Sequence, residues 1–367
     1  MVRVVIVDDS KLIQSVLNTL FEKDGRFQVV GIAENPHDAR QVIKDTDPDV
    51  ITLDVEMPKM NGITFLRNLM RLRPTPVVMI STLTAKGATV TMEALELGAL
   101  DFVEKPADLA HSMESYQQDI CDKVYAASKV SRLKLLDLQQ RLLSDNAASA
   151  AQTAAPSVAQ VAQSSQPAAP KGIVAAHRIC AIGGSTGGLE ALSHLLKHVS
   201  FCQRETIVVA LHLPAGFTAS YANRLNSLLP IDVKEGEQGE VLRQGCVYIA
   251  PGGRHMAVKK RQSNYVIVLD DGEPVNRHKP SVDVLFDSVA SEIGASAIGV
   301  ILTGMGRDGA VGLNNMAQAG CVTYAQDEAT SVVWGMPGAA YELGAVSDRN
   351  VLPLTELSQR VTAYYRK

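Results

Sequence analysis

Residues 144–172 are nearly all Ala, Ser, Gln, Pro and Val, and they end in Pro167-Ala-Ala-Pro-Lys-Gly. So few large apolar side chains cannot offset the entropy of ordering the segment into a packed core. The stretch reads as a mobile tether, so the chain must fold as separate units on either side of it. A length of 367 residues suits two domains. The expected units are residues 1–130 and 173–367, with a helical extension and the tether over 131–172. Just before the tether, Leu135, Leu138, Leu142 and Leu143 keep a helical spacing. This segment is either a partner helix or, more simply, an extension of the first unit's last helix.

The first unit alternates apolar strand patterns with helical periods. Val2–Val7, Val29–Ile32, Val50–Leu53, Val77–Ile80 and Phe102–Val103 read as strands, with helical patterns between them. Alternation of this kind predicts a doubly wound parallel (βα)5 sheet, whose ligands sit at the carboxyl ends of the strands. Those ends carry Asp8 and Asp9, Asp54, Ser81 and Lys105. Three converging carboxylates repel one another unless a cation neutralises them, and hard oxygen ligands in a small site suit Mg²⁺. Lys105 and Ser81 are placed to meet anionic oxygens at Asp54.

The second unit opens on the apolar strand Ile179-Cys-Ala-Ile, which stops at Gly183-Gly-Ser-Thr-Gly-Gly before a helical pattern. Gly183, Ser185 and Gly187 fit G-x-S-x-G, a turn that exposes a serine hydroxyl above a sheet near backbone N–H groups. Two other readings stand beside it: a phosphate-cradling loop, and a tight turn with a capping serine. The dinucleotide fingerprint fits poorly, because position 185 is serine rather than glycine. Two more strand ends bear on the choice. The strand Thr206–Leu211 runs into His212, and the strand Ala297–Leu302 runs into a Gly-rich turn holding Asp308. Serine, histidine and aspartate at three strand ends are the parts of a nucleophile, a base and an orienter. Short alternating segments over 231–269 predict antiparallel hairpins, with Lys259-Lys260-Arg261 in a solvated turn. His194 and His198, at i, i+4, read as an exposed helix face. The predicted fold is a doubly wound, mostly parallel α/β hydrolase-like domain with a hairpin insertion.

Residues 1–130 hold 14 Lys/Arg against 19 Asp/Glu, and residues 173–367 hold 17 against 18. Neither unit has the basic balance of a nucleic-acid binder. No apolar run approaches the length of a membrane span. The five cysteines lack metal or C-x-x-C spacing. Together with a start that runs straight into a strand pattern, this predicts a cytoplasmic protein with reduced thiols and no membrane insertion.

Asp8-Asp9, Asp54-Val-Glu-Met-Pro, Asn61-Gly62, Ser81 and Lys105-Pro106 resemble the receiver domain of two-component response regulators. The resemblance implies phosphorylation of Asp54 by a chemotaxis histidine kinase. It implies Mg²⁺ held by Asp8, Asp9, Asp54 and the backbone carbonyl of Glu56, with Ser81, Phe102 and Lys105 as switch residues. The second unit is similar to the catalytic domain of the chemoreceptor methylesterases, the CheB family. Ile182-Gly-Gly-Ser-Thr-Gly-Gly, Leu211-His-Leu-Pro, Ile249-Ala-Pro-Gly-Gly-Arg-His-Met, Asn276-Arg-His-Lys-Pro-Ser-Val-Asp and Gly304-Met-Gly-Arg-Asp-Gly carry that likeness. It implies a phosphorylation-activated hydrolase that removes glutamate methyl esters from methyl-accepting chemoreceptors and deamidates receptor glutamines. Ser185, His212 and Asp308 would form its triad. Thr186 and Met305 are candidate oxyanion donors, and the ester chemistry needs no cofactor. Two other classes remain: a DNA-binding response regulator, for which no basic helix is evident, and a non-catalytic adaptor.

Overall fold

The computed structural model describes residues 1–57, 62–81, 85–105, 113–141, 176 and 178–366. The tether over 144–172 lies outside them, as do Pro58, Asn61, Pro106, Leu142 and Leu143.

The first unit runs β1 (Val2–Val7), α1 (Lys11–Asp24), β2 (Phe27–Ala33), α2 (Pro36–Thr46), β3 (Val50–Asp54), α3 (Gly62–Leu72), β4 (Val77–Ser81), α4 (Ala85–Glu96), β5 (Asp101–Glu104) and α5 (Met113–Ser128). The strands form one parallel sheet in the order β2-β1-β3-β4-β5. Apolar residues of α1 and α5 cover one face, among them Leu17, Phe21, Ile120 and Val124. Residues of α2, α3 and α4 cover the other, including Ile43, Leu66 and Met92. Local signals start the helices. Ser10 accepts from the Ile13 amide, and Asn35 accepts from His37 and Asp38 ahead of a Pro at the first helical position.

The leucine-bearing segment is a helix of its own, α6 (132–141), and not an extension of α5. The chain breaks between the two at 129–131. Ser131 caps the new helix, accepting at Oγ from the Lys134 amide (3.2 Å) and at its carbonyl from the Leu135 amide.

The second unit runs β6 (Ile179–Gly184), α7 (Gly188–Lys197), β7 (Thr206–Leu211), α8 (Phe217–Leu228), β8 (Asp232–Glu235), β9 (Cys246–Ile249), β10 (His255–Arg261) and β11 (Asn264–Asp270). It continues with α9 (Val282–Glu292), β12 (Ala297–Ile301), α10 (Ala310–Gln318), β13 (Val322–Gln326), α11 (Met336–Glu342), β14 (Val351–Leu352) and α12 (Leu354–Arg366). Seven strands form a parallel sheet in the order β14-β13-β12-β6-β7-β9-β8.

Three expectations are corrected. Only β10 and β11 form an antiparallel hairpin, whereas β8 and β9 join the parallel sheet. All four residues of β9 are buried, so the strand carries no polar alternation that could reveal its place. Lys259, Lys260 and Arg261 are solvated as expected, but they close β10, and the turn follows at Gln262, whose φ is 54°. His194 is buried, with its ring centroid 4.2 Å from that of the exposed His198.

Among the described residues no helix is long and apolar enough to cross a membrane. The last helix locks the sheet from below. The buried Tyr365 hydroxyl accepts from the amides of Cys180 (3.1 Å) and Thr206 (3.2 Å) and donates to the Thr206 carbonyl (2.6 Å). Tyr365→Phe leaves two buried amides without an acceptor. The expected cost is roughly 1–3 kcal/mol in a urea unfolding series, and an unchanged midpoint would contradict the role given to the hydroxyl.

Candidate active site

Strands β12, β6 and β7 are neighbours, so the segments that leave their carboxyl ends share one crevice. In register, Gly184 pairs with Leu211, and the His212 amide donates to the Gly184 carbonyl. Ser185 and His212 therefore leave adjacent strands at the same level. The Ser185 amide is held by the Thr303 carbonyl (3.0 Å), which ties the turn to the loop carrying Asp308. Gly304 makes this approach possible, since a Cβ there would lie 3.0 Å from the Ser185 Cβ. Gly187, at φ +75°, starts α7 in a conformation that side-chain-bearing residues rarely adopt.

Asp308 is the most heavily hydrogen-bonded side chain of the site. Its Oδ2 accepts from His212 Nε2 (2.7 Å) and the Val282 amide (2.7 Å). Its Oδ1 accepts from Ser281 Oγ (2.7 Å), Asn276 Nδ2 (2.8 Å) and the Asp283 amide (3.3 Å). The carboxylate thus sits on the N-terminus of α9, where unpaired amides and the helix dipole favour negative charge. Burial opposes the charge, but His212, Asn276 and Val282 together hold Asp308 well below the usual carboxylate range. An ionised partner obliges His212 Nε2 to carry the proton, which leaves Nδ1 as the basic nitrogen. His212 Nδ1 is buried and has no hydrogen-bond partner among the described residues. The His278 ring stacks on the His212 ring, with centroids 3.6 Å apart and planes 11° from parallel. Burial and the neighbouring His212 push His278 well below the usual imidazole range, so it remains neutral.

The Thr186 and Met305 amides have no acceptor among the described residues, whereas the Ser185 amide is already engaged. Ser185 and His212 line a small cavity of about 20 Å³ together with Leu213, Glu190 and Val332. Gly187 and Leu189 line it as well, and five lining residues come from outside the second unit: Leu95, Ala99, Leu100 and Asp101 from the first, and Leu138 from α6.

At the first unit's strand ends, one ligand atom from each of Asp8, Asp9 and Asp54 falls within 4.8 Å of the others. Lys105 Nζ lies 2.9 Å from Asp54 Oδ2 and 3.0 Å from Asp8 Oδ2. Burial pushes Asp54 up to about 6 against the pull of Lys105, with Asp8 adding to the rise. Excess negative charge and buried oxygens met only by one ammonium among the described residues fit a small divalent cation. The Glu56 amide donates to Asp54 Oδ1 (3.2 Å), and Ser81 Oγ accepts from Thr91 Oγ1 (3.0 Å).

Two family models match the chain, the response regulator receiver domain over residues 4–117 and CheB methylesterase over residues 180–361. The protein-glutamate methylesterase/protein-glutamine glutaminase of Hydrogenovibrio crunogenus is 45% identical, covering 100% of this chain and 99% of its own. The chain belongs to this methylesterase family. A relative in Xanthomonas oryzae pv. oryzae, protein-glutamate methylesterase/protein-glutamine glutaminase 2, is 48% identical over 99% of this chain and 97% of its own. The crystal structure of the Thermotoga maritima CheB methylesterase catalytic domain is 37% identical, with a TM-score of 0.49. It covers 51% of this chain and 98% of that one.

The two family modules meet at the crevice. Thr186 Oγ1 donates to Asp101 Oδ2 across the boundary, next to Ser185. Burial raises Asp101 against the pull of Lys123 and Thr186. Phe102, buried, stacks on Phe217 with centroids 4.4 Å apart. Glu96 pairs with Arg224. Helix α6 grips both sides: Lys134 Nζ donates to the carbonyls of Glu328 (2.8 Å) and Ser331 (3.2 Å), and Gln139 Nε2 to that of Met70 (2.9 Å).

Asn276, His278 and Ser281 lie inside a segment quoted only for its likeness to the family, and sequence reasoning gave them no role. A usable signal was present, since a serine directly before an apolar helical run is an N-cap candidate. The cap is spent on Asp308 instead of on its own helix.

The folded value of Asp308 lies below the unfolded value of about 3.9. Its ionised form therefore contributes stability above that pH, and the contribution is lost as pH falls toward the folded value. Asp308→Asn is expected to cost roughly 2 kcal/mol at neutral pH, with the deficit shrinking below about pH 4. Urea midpoints measured from pH 7 to pH 3.5 test this, and a deficit that does not change with pH would contradict it.

Proposed function

We propose that the chain hydrolyses glutamate γ-methyl esters on chemoreceptor helices and deamidates receptor glutamines, under control of phosphorylation at Asp54. The observation that carries the reading is the hydrogen-bonded His212–Asp308 pair, set on a strand end adjoining that of Ser185. Membership of the methylesterase family supplies the substrate class. The receiver is assigned to residues 1–130, the catalytic domain to 173–367 and the connection to 131–172.

In this scheme Ser185 Oγ attacks the side-chain carbonyl carbon and gives its proton to His212 Nδ1. The amides of Thr186 and Met305 receive the oxyanion that forms on the former carbonyl oxygen. As the tetrahedral species collapses, His212 returns the proton to the departing methanol, or to ammonia in the deamidation. Water then attacks the acyl-serine, again giving a proton to Nδ1, and Ser185 recovers it. Asp308 keeps the proton on Nε2 and stabilises the imidazolium. His278, neutral and stacked against the base, presents no opposing charge to that imidazolium.

Control acts through access. A cavity of about 20 Å³ at Ser185 has no room for a glutamyl ester while Leu95, Leu100, Asp101 and Leu138 wall it. Asp8, Asp9, Asp54 and the Glu56 carbonyl would hold Mg²⁺, which would supply positive charge beside a phosphoryl group that Asp54 accepts from the histidine kinase. Lys105 and Ser81 turn toward the phosphoryl oxygens. Because Phe102 and Asp101 share β5 with the approach to Lys105, that movement strains their contacts with Phe217 and Thr186.

Ser185→Ala is expected to lower methanol release from methylated receptors by roughly 10⁴-fold or more, with the fold retained by circular dichroism. Retained activity would overturn the nucleophile assignment.

A further inference from the structure

A second concave surface lies on the receiver between α2 and α3, with a volume of about 600 Å³. Its floor is apolar. Ile43, Phe65 and Leu69 are buried there, and the floor runs out to Leu72, which is 63% exposed. Its rim is cationic. Arg40 and Lys44 stand on α2, and Arg71 on α3. Arg73 also lines the groove but is paired with Asp47. Among the described residues no aspartate or glutamate lines it, although acidic residues outnumber basic ones over residues 1–130. The local charge therefore opposes that of the domain around it.

We propose that this groove docks an acidic amphipathic helix of a partner protein. The walls are two helices, and α2 spans 11 residues, or about 16 Å at 1.5 Å per residue, enough to seat three turns. Apolar side chains at i, i+3 or i+4 and i+7 enter the floor, as in other helix-in-groove recognition. Carboxylates flanking that stripe meet Arg40, Lys44 and Arg71. Position supports the assignment as well. The α4 and β5 side of the receiver is taken up by Arg224, Phe217 and Thr186 of the catalytic domain. The α2–α3 groove stays open in that docked arrangement, so a partner can hold the chain while the active site is closed. The inference does not depend on the esterase reading.

The test uses the full chain and a fluorescein-labelled helical peptide with leucines at i, i+3, i+4 and i+7 and glutamates on the flanks. The control is a peptide of the same composition with that spacing scrambled. Anisotropy should show saturable binding of the first peptide, weakened when the Debye length is cut from about 10 to about 6 Å by added salt. Binding should weaken at least about tenfold for the scrambled peptide and for the triple variant Arg40→Glu/Lys44→Glu/Arg71→Glu. Leu72→Asp, a surface change that leaves the core intact, should have a similar effect. Basal esterase activity, measured in parallel, should be unchanged by these substitutions. Equal binding of the two peptides, equal binding by the variants, or equal competition by polyglutamate would overturn the proposal.

Discussion

The carboxylate of Asp308 is the fixed point of the catalytic half. Five donors from three segments meet it, and one of them is the imidazole of His212. Removing a single neutral donor leaves the others in place, whereas removing the charge leaves all five facing a weaker acceptor. The consequence for His212 is chemical as well as geometric. An ionised Asp308 fixes the proton on Nε2 and leaves Nδ1 as the bare nitrogen. The helix that seats Asp308 begins at Val282, whose side chain also packs against β6 at Gly183. His212, Asp308 and the end of β6 are therefore positioned by one piece of structure.

The receiver half is built on the opposite electrostatic situation. Asp8, Asp9 and Asp54 crowd into a site that supplies one ammonium among the described residues, and burial raises Asp54. Such a site is tense until cations arrive. Strand β5 links the two halves. Its far end leads to Lys105, while Asp101 and Phe102 lie against Thr186 and Phe217. Helix α6 adds a second restraint, because Leu138 walls the same cavity that Ser185 lines.

Much of this was legible in the sequence because the chemistry sits where period and punctuation coincide. Apolar runs ending in Asp8, Asp54, Ser185 or His212 mark strand ends, and parallel sheets gather those ends at one edge. What was hidden depends on long-range packing. The cradle of Asp308 is built from Asn276 and Ser281, which no local pattern connects to residue 308. His278 acquires its place only by stacking on His212. His194 lies on a helix whose periodicity permits either exposure or burial, and burial wins. Strand β9 is apolar throughout because both of its faces are covered, so alternation could not betray its neighbours. The separation of α5 from α6 rests on the cap at Ser131, a signal that a continuous helical period conceals.

In the proposed scheme Ser185 is an activated nucleophile shut in by the docked receiver and α6. A fluorophosphonate probe reads both properties at once, since it reacts only with a serine that is activated and reachable. The full chain would be treated with the probe, with and without acetyl phosphate and Mg²⁺, and the labelled peptide located by mass spectrometry. Label is expected on Ser185, slow in the untreated chain and at least several-fold faster after phosphorylation. Equal labelling rates in the two states, or label on another serine, would contradict it.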